Sequence, residues 1–271
     1  MRYVSQLTKT LIPLCIGIAF FFNSVTYSKC TDKPIRIAVI DTGFGYEGHG
    51  AEAKLCPDGH KDFSDSQTYF PLFQRSPTVP IDTYGHGTNI VGIIESYLKP
   101  KHINYCIEII KYADGKGSSN NLKNTIKAFR YVYNQGVKYI NYSSGGRGFN
   151  QEEKNIVEKF LDANGTLVVA AGNDGKDLDV EKNYYYPAQY DTRIIVVGAL
   201  DRDGSRASMS NYGSQVKRWE VGVDVEGYGV VQSGTSQATA VAMGKIVSNS
   251  SNTCEGNDDN RNKSNERKES R

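Results

Sequence analysis

Short apolar runs rich in β-branched residues recur along the middle of the chain. They are separated by segments whose apolar positions fall at helical spacing. Residues 35–40 (IRIAVI), 105–111 (YCIEIIK), 137–141 (VKYIN), 166–171 (TLVVAA) and 193–198 (RIIVVG) predict buried strands. Leu122, Ile126, Phe129, Tyr131 and Val132 predict a helix over 122–134. Ile156, Val157, Phe160 and Leu161 predict another over 151–164, stopped at Asn164-Gly165. Two further buried helices are expected, one after His86 (Ile90, Val91, Ile93, Ile94) and one after Ser236 (Val241, Ala242, Ile246, Val247). Strands alternating with helices imply βαβ units. The expectation is therefore an α/β fold with a mostly parallel central sheet, helices on both faces, and chemistry at the strands' carboxyl ends.

The ends of the chain carry a different pattern. Arg2 and Lys9 precede an uncharged run over 11–22, and the small residues Thr26 and Ser28 stand ahead of Lys29. That layout predicts a secretory signal peptide over 1–28, and hence a secreted or periplasmic protein. The run is short for a membrane span, and no stretch reaches 18 consecutive apolar residues, so no stable span is expected after cleavage. Residues 249–271 hold five acids, five bases and no aliphatic or aromatic side chain. Such a segment cannot offset its ordering entropy by burial, and a disordered polar tail is expected there. One domain over 29–248 remains.

Composition narrows the partners. The 271 residues carry 32 Lys+Arg against 30 Asp+Glu, a net charge of +2, which speaks against a nucleic-acid or polybasic membrane binder. Outside the signal stand Cys30, Cys56, Cys106 and Cys254, an even number that suggests disulfides in an exported chain and leaves three pairings open. There is no C-x-x-C and the four His are scattered, so no zinc site is expected. Asp58, Asp62 and Asp65 read as a solvated loop. Gly43, Gly45 and Gly48 match a dinucleotide-binding spacing, but Pro57 and Gly59 break the helix that motif requires, so no nucleotide cofactor is expected. Asn141, Asn164, Asn249 and Asn262 match the glycosylation pattern, Asn141 at the end of a buried strand.

Three segments place a reactive residue beside glycine at the edge of a predicted element. They are Asp41 in VIDTG, His86 in GHGT and Ser236 in GTSQA. Glycine at these places removes Cβ atoms where a substrate or another backbone comes close. The three segments resemble the catalytic blocks of the subtilisin-like serine proteases (subtilases, peptidase family S8), in that family's order Asp, His, Ser. Residues 141–146 (NYSSGG) and 168–173 (VVAAGN) resemble its two substrate-lining segments, and 112–117 (YADGKG) its substrate-pairing edge. The resemblance extends over 35–247.

It implies a three-layer subtilisin-like fold and a serine endopeptidase acting on peptide or protein substrates. Ser236 would form the acyl-enzyme, His86 would be the general base, Asp41 its orienter, and the Asn173 side chain with the Ser236 N–H would bind the oxyanion. Substrate would lie between Asp114, Gly115, Lys116 and Gly117 on one side and Ser143, Ser144 and Gly145 on the other. Ala170, Ala171 and Gly172 would border an open primary pocket. Calcium is common in that family but matches no residue set here, so no metal or cofactor is assigned, and the oligomeric state is left open.

Departures from the family pattern are equally specific. Only residues 29–34 lie between the expected cleavage and the first strand, which predicts folding without a propeptide in cis. The chain ends one helix after Ser236, which predicts a less covered sheet. Gln237 and Ala240 replace a methionine and a proline, and Asn89 replaces a histidine. A non-catalytic binding protein on the same scaffold and a peptide ligase using the same triad are the alternatives. An α/β-hydrolase is disfavoured, because Ala238 stands where its nucleophile elbow needs glycine.

Overall fold

The computed structural model describes residues 33–64, 79–115 and 117–250. The expected signal peptide, Lys116, Asp65, Cys30, Cys254 and residues 251–271 of the expected tail lie outside them. Seven strands form one parallel sheet in the order β2-β3-β1-β4-β5-β6-β7. These are β1 (Ile35–Asp41), β2 (Lys61–Asp62), β3 (Tyr105–Lys111), β4 (Tyr139–Tyr142), β5 (Thr166–Ala170), β6 (Ile195–Leu200) and β7 (Val216–Val221). A small antiparallel hairpin, β8 (Val225–Gly227) and β9 (Val230–Gln232), stands apart from it.

Alternation along the central strand assigns the two faces. Ile37 and Val39 of β1 enter one core with α1 (His86–Leu98) and α4 (Thr235–Ser250), through Ile90, Ile94, Val241 and Met243. Ala38 and Ile40 enter the other core with α2 (Asn121–Asn134) and α3 (Gln151–Asp162), through Phe129, Val132, Val157 and Phe160. A strand buried on both faces has no polar alternation, which is why residues 35–40 read as a continuous apolar run. The result is the three-layer α/β arrangement expected from sequence, with helices on both sides of a parallel sheet.

Helix ends explain the local boundaries. Asn150 precedes α3 in an extended conformation, and its side chain accepts the Glu152 and Glu153 N–H groups, both at 2.9 Å. Asn164 turns the chain at φ 60° after α3, as the Asn-Gly pair predicts, although the helix ends at Asp162. α4 runs two residues into the segment expected to be a disordered tail. Lys101 Nζ reaches Asn249 Oδ1 at 3.3 Å and Tyr139 Oη donates to Ser250 Oγ at 3.1 Å, so hydrogen bonds hold what hydrophobic patterning could not. A Cys56–Cys106 disulfide ties the stretch before β2 to β3, one of the three pairings left open. Gly48 ends a short 3-10 turn and opens no α-helix, so the dinucleotide geometry is not formed there.

Candidate active site

Parallel register brings the candidate residues to one edge of the sheet. Asp41 closes β1 opposite Lys111 of β3, while Ser143 and Ala171 follow the ends of β4 and β5. All are at carboxyl ends of neighbouring strands, where loops diverge and leave a crevice. His86 and Ser236 come from the opposite direction, at the heads of α1 and α4. Close approach of α1 to β1 depends on Gly87, where a Cβ would stand 2.2 Å from the Gly43 carbonyl oxygen and 3.3 Å from Asp41 Oδ1.

Asp41 is 3% exposed and its Oδ1 accepts from His86 Nδ1 at 2.7 Å and from the Thr42 N–H at 2.8 Å. A carboxylate only accepts, so Nδ1 carries the proton and Nε2 is left as the basic nitrogen. Burial works against charge on the ring, but the charge and hydrogen bond of Asp41, helped by Asp82, outweigh it and raise His86 above its ordinary value. Ser236 is 7% exposed; its Oγ donates to the Ser143 carbonyl at 2.9 Å. Among the described residues it makes no hydrogen bond to His86. The Ser143 hydroxyl in turn donates to the Ser236 carbonyl at 3.2 Å, so the end of β4 and the head of α4 are pinned together.

Asn173 is exposed beside the same helix head. Its Oδ1 accepts from the Thr235 N–H at 2.8 Å and the Thr235 hydroxyl at 2.9 Å. A backbone N–H can only donate, which fixes the amide orientation and turns Nδ2 outward as a donor. Nδ2 has no hydrogen-bond partner among the described residues.

Asp82, not singled out from sequence, organises the loop that carries His86. It is 2% exposed and accepts five hydrogen bonds, from Thr42 Oγ1, the Tyr84, Gly85 and Thr88 N–H groups, and Thr88 Oγ1, at 2.7–3.0 Å. It thereby supplies the acceptors that the head of α1 lacks, since Gly85 offers no side chain. Its position four residues before His86 is the only trace it leaves in the sequence. Thr42 completes the link, donating to Asp82 and accepting the Gly87 N–H at 2.9 Å.

The expected substrate segments separate into three groups. A cleft cavity of about 210 Å³ joins Asp41 and His86 to Tyr84, Gly115, Ser143 and Ser144. Gly117 lines it as well, and Gly145 lines the neighbouring side pocket. Asp114 pairs with buried Lys111 at 2.7 Å, so it holds the edge in place. Lys116 lies outside the described residues. Ala170, Ala171 and Gly172 are buried, and none of them lines the cleft cavity, because the end of β5 feeds the core. Asn141 is fully buried as well, so that glycosylation match is closed off in the folded chain.

An imidazole seated on a buried acid, with a serine at the head of a helix from a third segment, is the donor and acceptor set of the serine hydrolases. The subtilase family model matches residues 32–258, and the chain belongs to that family. It is 29% identical over 231 residues to Subtilisin-like protease 2 of Pseudogymnoascus destructans, a match covering 82% of this chain and 53% of the relative. It is 26% identical over 199 residues to Subtilisin DY of Bacillus licheniformis, covering 70% and 65%. The chain thus spans about half to two thirds of these two relatives. Among solved structures, a cold-adapted subtilisin-like serine proteinase superposes with a TM-score of 0.59 at 22% identity, covering 82% of this chain and 77% of that one. A lanthipeptide protease superposes at 0.61 with 18% identity, covering 79% and 72%. Both share the fold.

Proposed function

We propose that this chain is an exported serine endopeptidase in which Ser236 attacks the carbonyl of a peptide bond. His86 Nε2 takes the serine proton and returns it to the leaving amine. Asp41 holds Nδ1–H and stabilises the imidazolium that forms. The tetrahedral oxygen finds the Ser236 N–H and Asn173 Nδ2, which Thr235 keeps turned outward. Peptide backbone lies as an added strand between 143–145 and 114–117. The observation that carries this reading is the 2.7 Å contact between His86 Nδ1 and buried Asp41. Export rests on the layout of 1–28, and the Cys56–Cys106 disulfide fits an oxidising compartment.

Reaction requires the Ser236 hydroxyl to leave the Ser143 carbonyl and engage His86. That hydrogen bond is also the feature that favours the second reading, a binding protein whose serine is kept idle. A fluorophosphonate probe separates the two. Labelling of wild-type protein that is lost in Ser236→Ala supports the hydrolase. A folded wild type that does not label removes the hydrolase reading and leaves the binding protein.

A further inference from the structure

Beside the cleft lies a second cavity of about 230 Å³, which shares Tyr112, Asn121 and Ser144 with it. Tyr112 Oη donates to Ser144 Oγ at 2.7 Å and forms the divide between them. The walls of this side pocket are mixed, with Leu122, Tyr112, Tyr142 and Tyr186 supplying apolar surface beside Thr125 and Ser144, and Leu122 is 39% exposed. Glu153 also lines it, and that residue is only 3% exposed.

The surroundings of Glu153 account for half of its carboxylate. Glu153 is the third residue of α3, where a glutamate ordinarily reaches back to the N–H of the capping residue. Here a tyrosine is inserted into that link. The Asn150 N–H donates to Tyr190 Oη at 3.0 Å, and Tyr190 Oη donates to Glu153 Oε2 at 2.7 Å. The other oxygen, Oε1, has no hydrogen-bond partner among the described residues. No cationic side chain pairs with Glu153 among them either; Arg130 pairs with the preceding residue, Glu152, at 2.7 Å. Burial raises Glu153 above the usual carboxylate range, with the Tyr190 hydrogen bond opposing it. A buried acid without a cation is costly, and a charge-assisted partner there is correspondingly favourable.

A wider cavity, about 570 Å³ across the outer face of α1, offers no comparable group. Its buried acid, Glu95, is already bound by Tyr105, Tyr228, Lys99 and the Lys54 N–H.

We infer that the side pocket takes a lysine or arginine side chain of the bound peptide, its methylenes along Leu122 and Tyr186 and its charged head at Glu153 Oε1. Long basic side chains bury an apolar stem while delivering charge at the tip, which is the combination these walls and this acid present. The inference rests on the peptide-cleft reading above and names the substrate class that cleft selects.

The test is direct binding to full-length Ser236→Ala protein, so that turnover plays no part. One residue is walked through each position of a fluorescent alanine hexapeptide, as Lys, Arg, Leu or Glu. At one position Lys and Arg are expected to bind roughly tenfold or more tighter than Leu, with Glu weakest. Adding Glu153→Gln, which keeps an acceptor for Tyr190, is expected to collapse the Lys-to-Leu ratio by about the same factor. The inference is overturned if Leu binds best at every position, if no hexapeptide binds, or if the Lys excess survives Glu153→Gln. The wild-type ratio needs no variant at this site, so poor folding of Glu153→Gln does not rescue the idea. Fluorophosphonate labelling reports separately on the hydrolase. Labelling without a basic preference sinks only the pocket, and a basic preference without labelling sinks only the hydrolase.

Discussion

Gln237 Nε2 donates to Asn89 Oδ1 at 2.9 Å, so two of the positions where this chain departs from the family pattern are bonded to each other. Both side chains are buried, at 1% and 0% exposure. Asn89 Nδ2 continues the network, donating to the Val225 and Val230 carbonyls of the β8–β9 hairpin at 3.1 and 2.7 Å. The head of α4, the head of α1 and the hairpin are thus joined through one amide pair. Gln237→Met takes the donor from buried Asn89 Oδ1, and Asn89→His removes the amide NH2 that serves both hairpin carbonyls. Gln237→Met and Asn89→His are each expected to cost about 1–3 kcal/mol. Their double variant should fall short of the sum by roughly 0.5 kcal/mol or more. Denaturant melts of the four proteins measure this directly. Strict additivity would show that the two departures are unrelated.

Asp82→Asn should impair the His86 loop more than the fold. Oδ1 accepts three of the five hydrogen bonds and Oδ2 two, so an amide in that place keeps one set and turns an NH2 toward the donors of the other. A loss of about 1–3 kcal/mol is expected. Because the loop sets where His86 sits, kcat should drop on the order of 10- to 100-fold. The check is kcat on a fluorogenic peptide beside a thermal melt. Unchanged kcat with lowered stability would reduce Asp82 to a purely structural capping residue.

Gly115 sits at φ 77° with the Tyr84 ring laid across it, where a Cβ would come 2.2 Å from Tyr84 Cγ. Gly115→Ala must therefore move the tyrosine, and it also adopts a left-handed conformation that costs roughly 1 kcal/mol. The expected result is a raised KM, since the peptide edge moves while the Asp41–His86 pair does not. Gly117→Ala meets no atom within 4 Å and should leave the melting temperature unchanged.

Two histidines give opposite responses to pH. His86 is raised, so its contribution to stability is present below the ordinary imidazole value of 6.5 and fades as pH rises through its higher folded value. With His86 as the proposed base, activity needs the neutral ring, so kcat/KM should rise through that same titration, with a midpoint above 6.5. His60 is lowered by burial, and its Nδ1 accepts the Ile109 N–H at 3.0 Å while Nε2 donates to the Cys56 carbonyl at 2.9 Å. Its contribution is present above 6.5 and is lost as pH falls through its folded value. His60→Asn should therefore flatten the acid limb of a stability–pH curve without moving the kcat/KM midpoint. An acid limb that stays as steep would assign that loss to other groups.

Strands buried on both faces were legible because nothing polar interrupts them, as in β1 and β3. The candidate triad was legible because glycines and reactive residues sit side by side in the chain. What escaped was built from distant or mixed partners. β7 reads VKRWEV, with Lys217 exposed, Arg218 and Trp219 half-buried and Glu220 buried, so no period of two stands out. β2 has two residues and is recognised only by its pairing to Ile110 and Lys111. Asp82 and Glu153 look like ordinary surface acids until the fold buries them. The small residues at 170–172 read as a pocket rim; they are buried at the end of β5 and lie outside the cavity that holds Asp41 and His86.

Lys111 is 1% exposed, and its single ammonium group holds both the Ile81 carbonyl at 2.8 Å and the Asp114 carboxylate at 2.7 Å. Ile81 begins the turn that Asp82 shapes around His86, and Asp114 begins the edge expected to meet the peptide. The imidazole proposed to take the proton and the edge proposed to align the peptide are therefore geared together by one buried cation. A lineage adapting this cleft to a new diet of peptides could not retune the edge independently. Each shift there would be transmitted to the imidazole, so selectivity and turnover would be inherited as a linked trait.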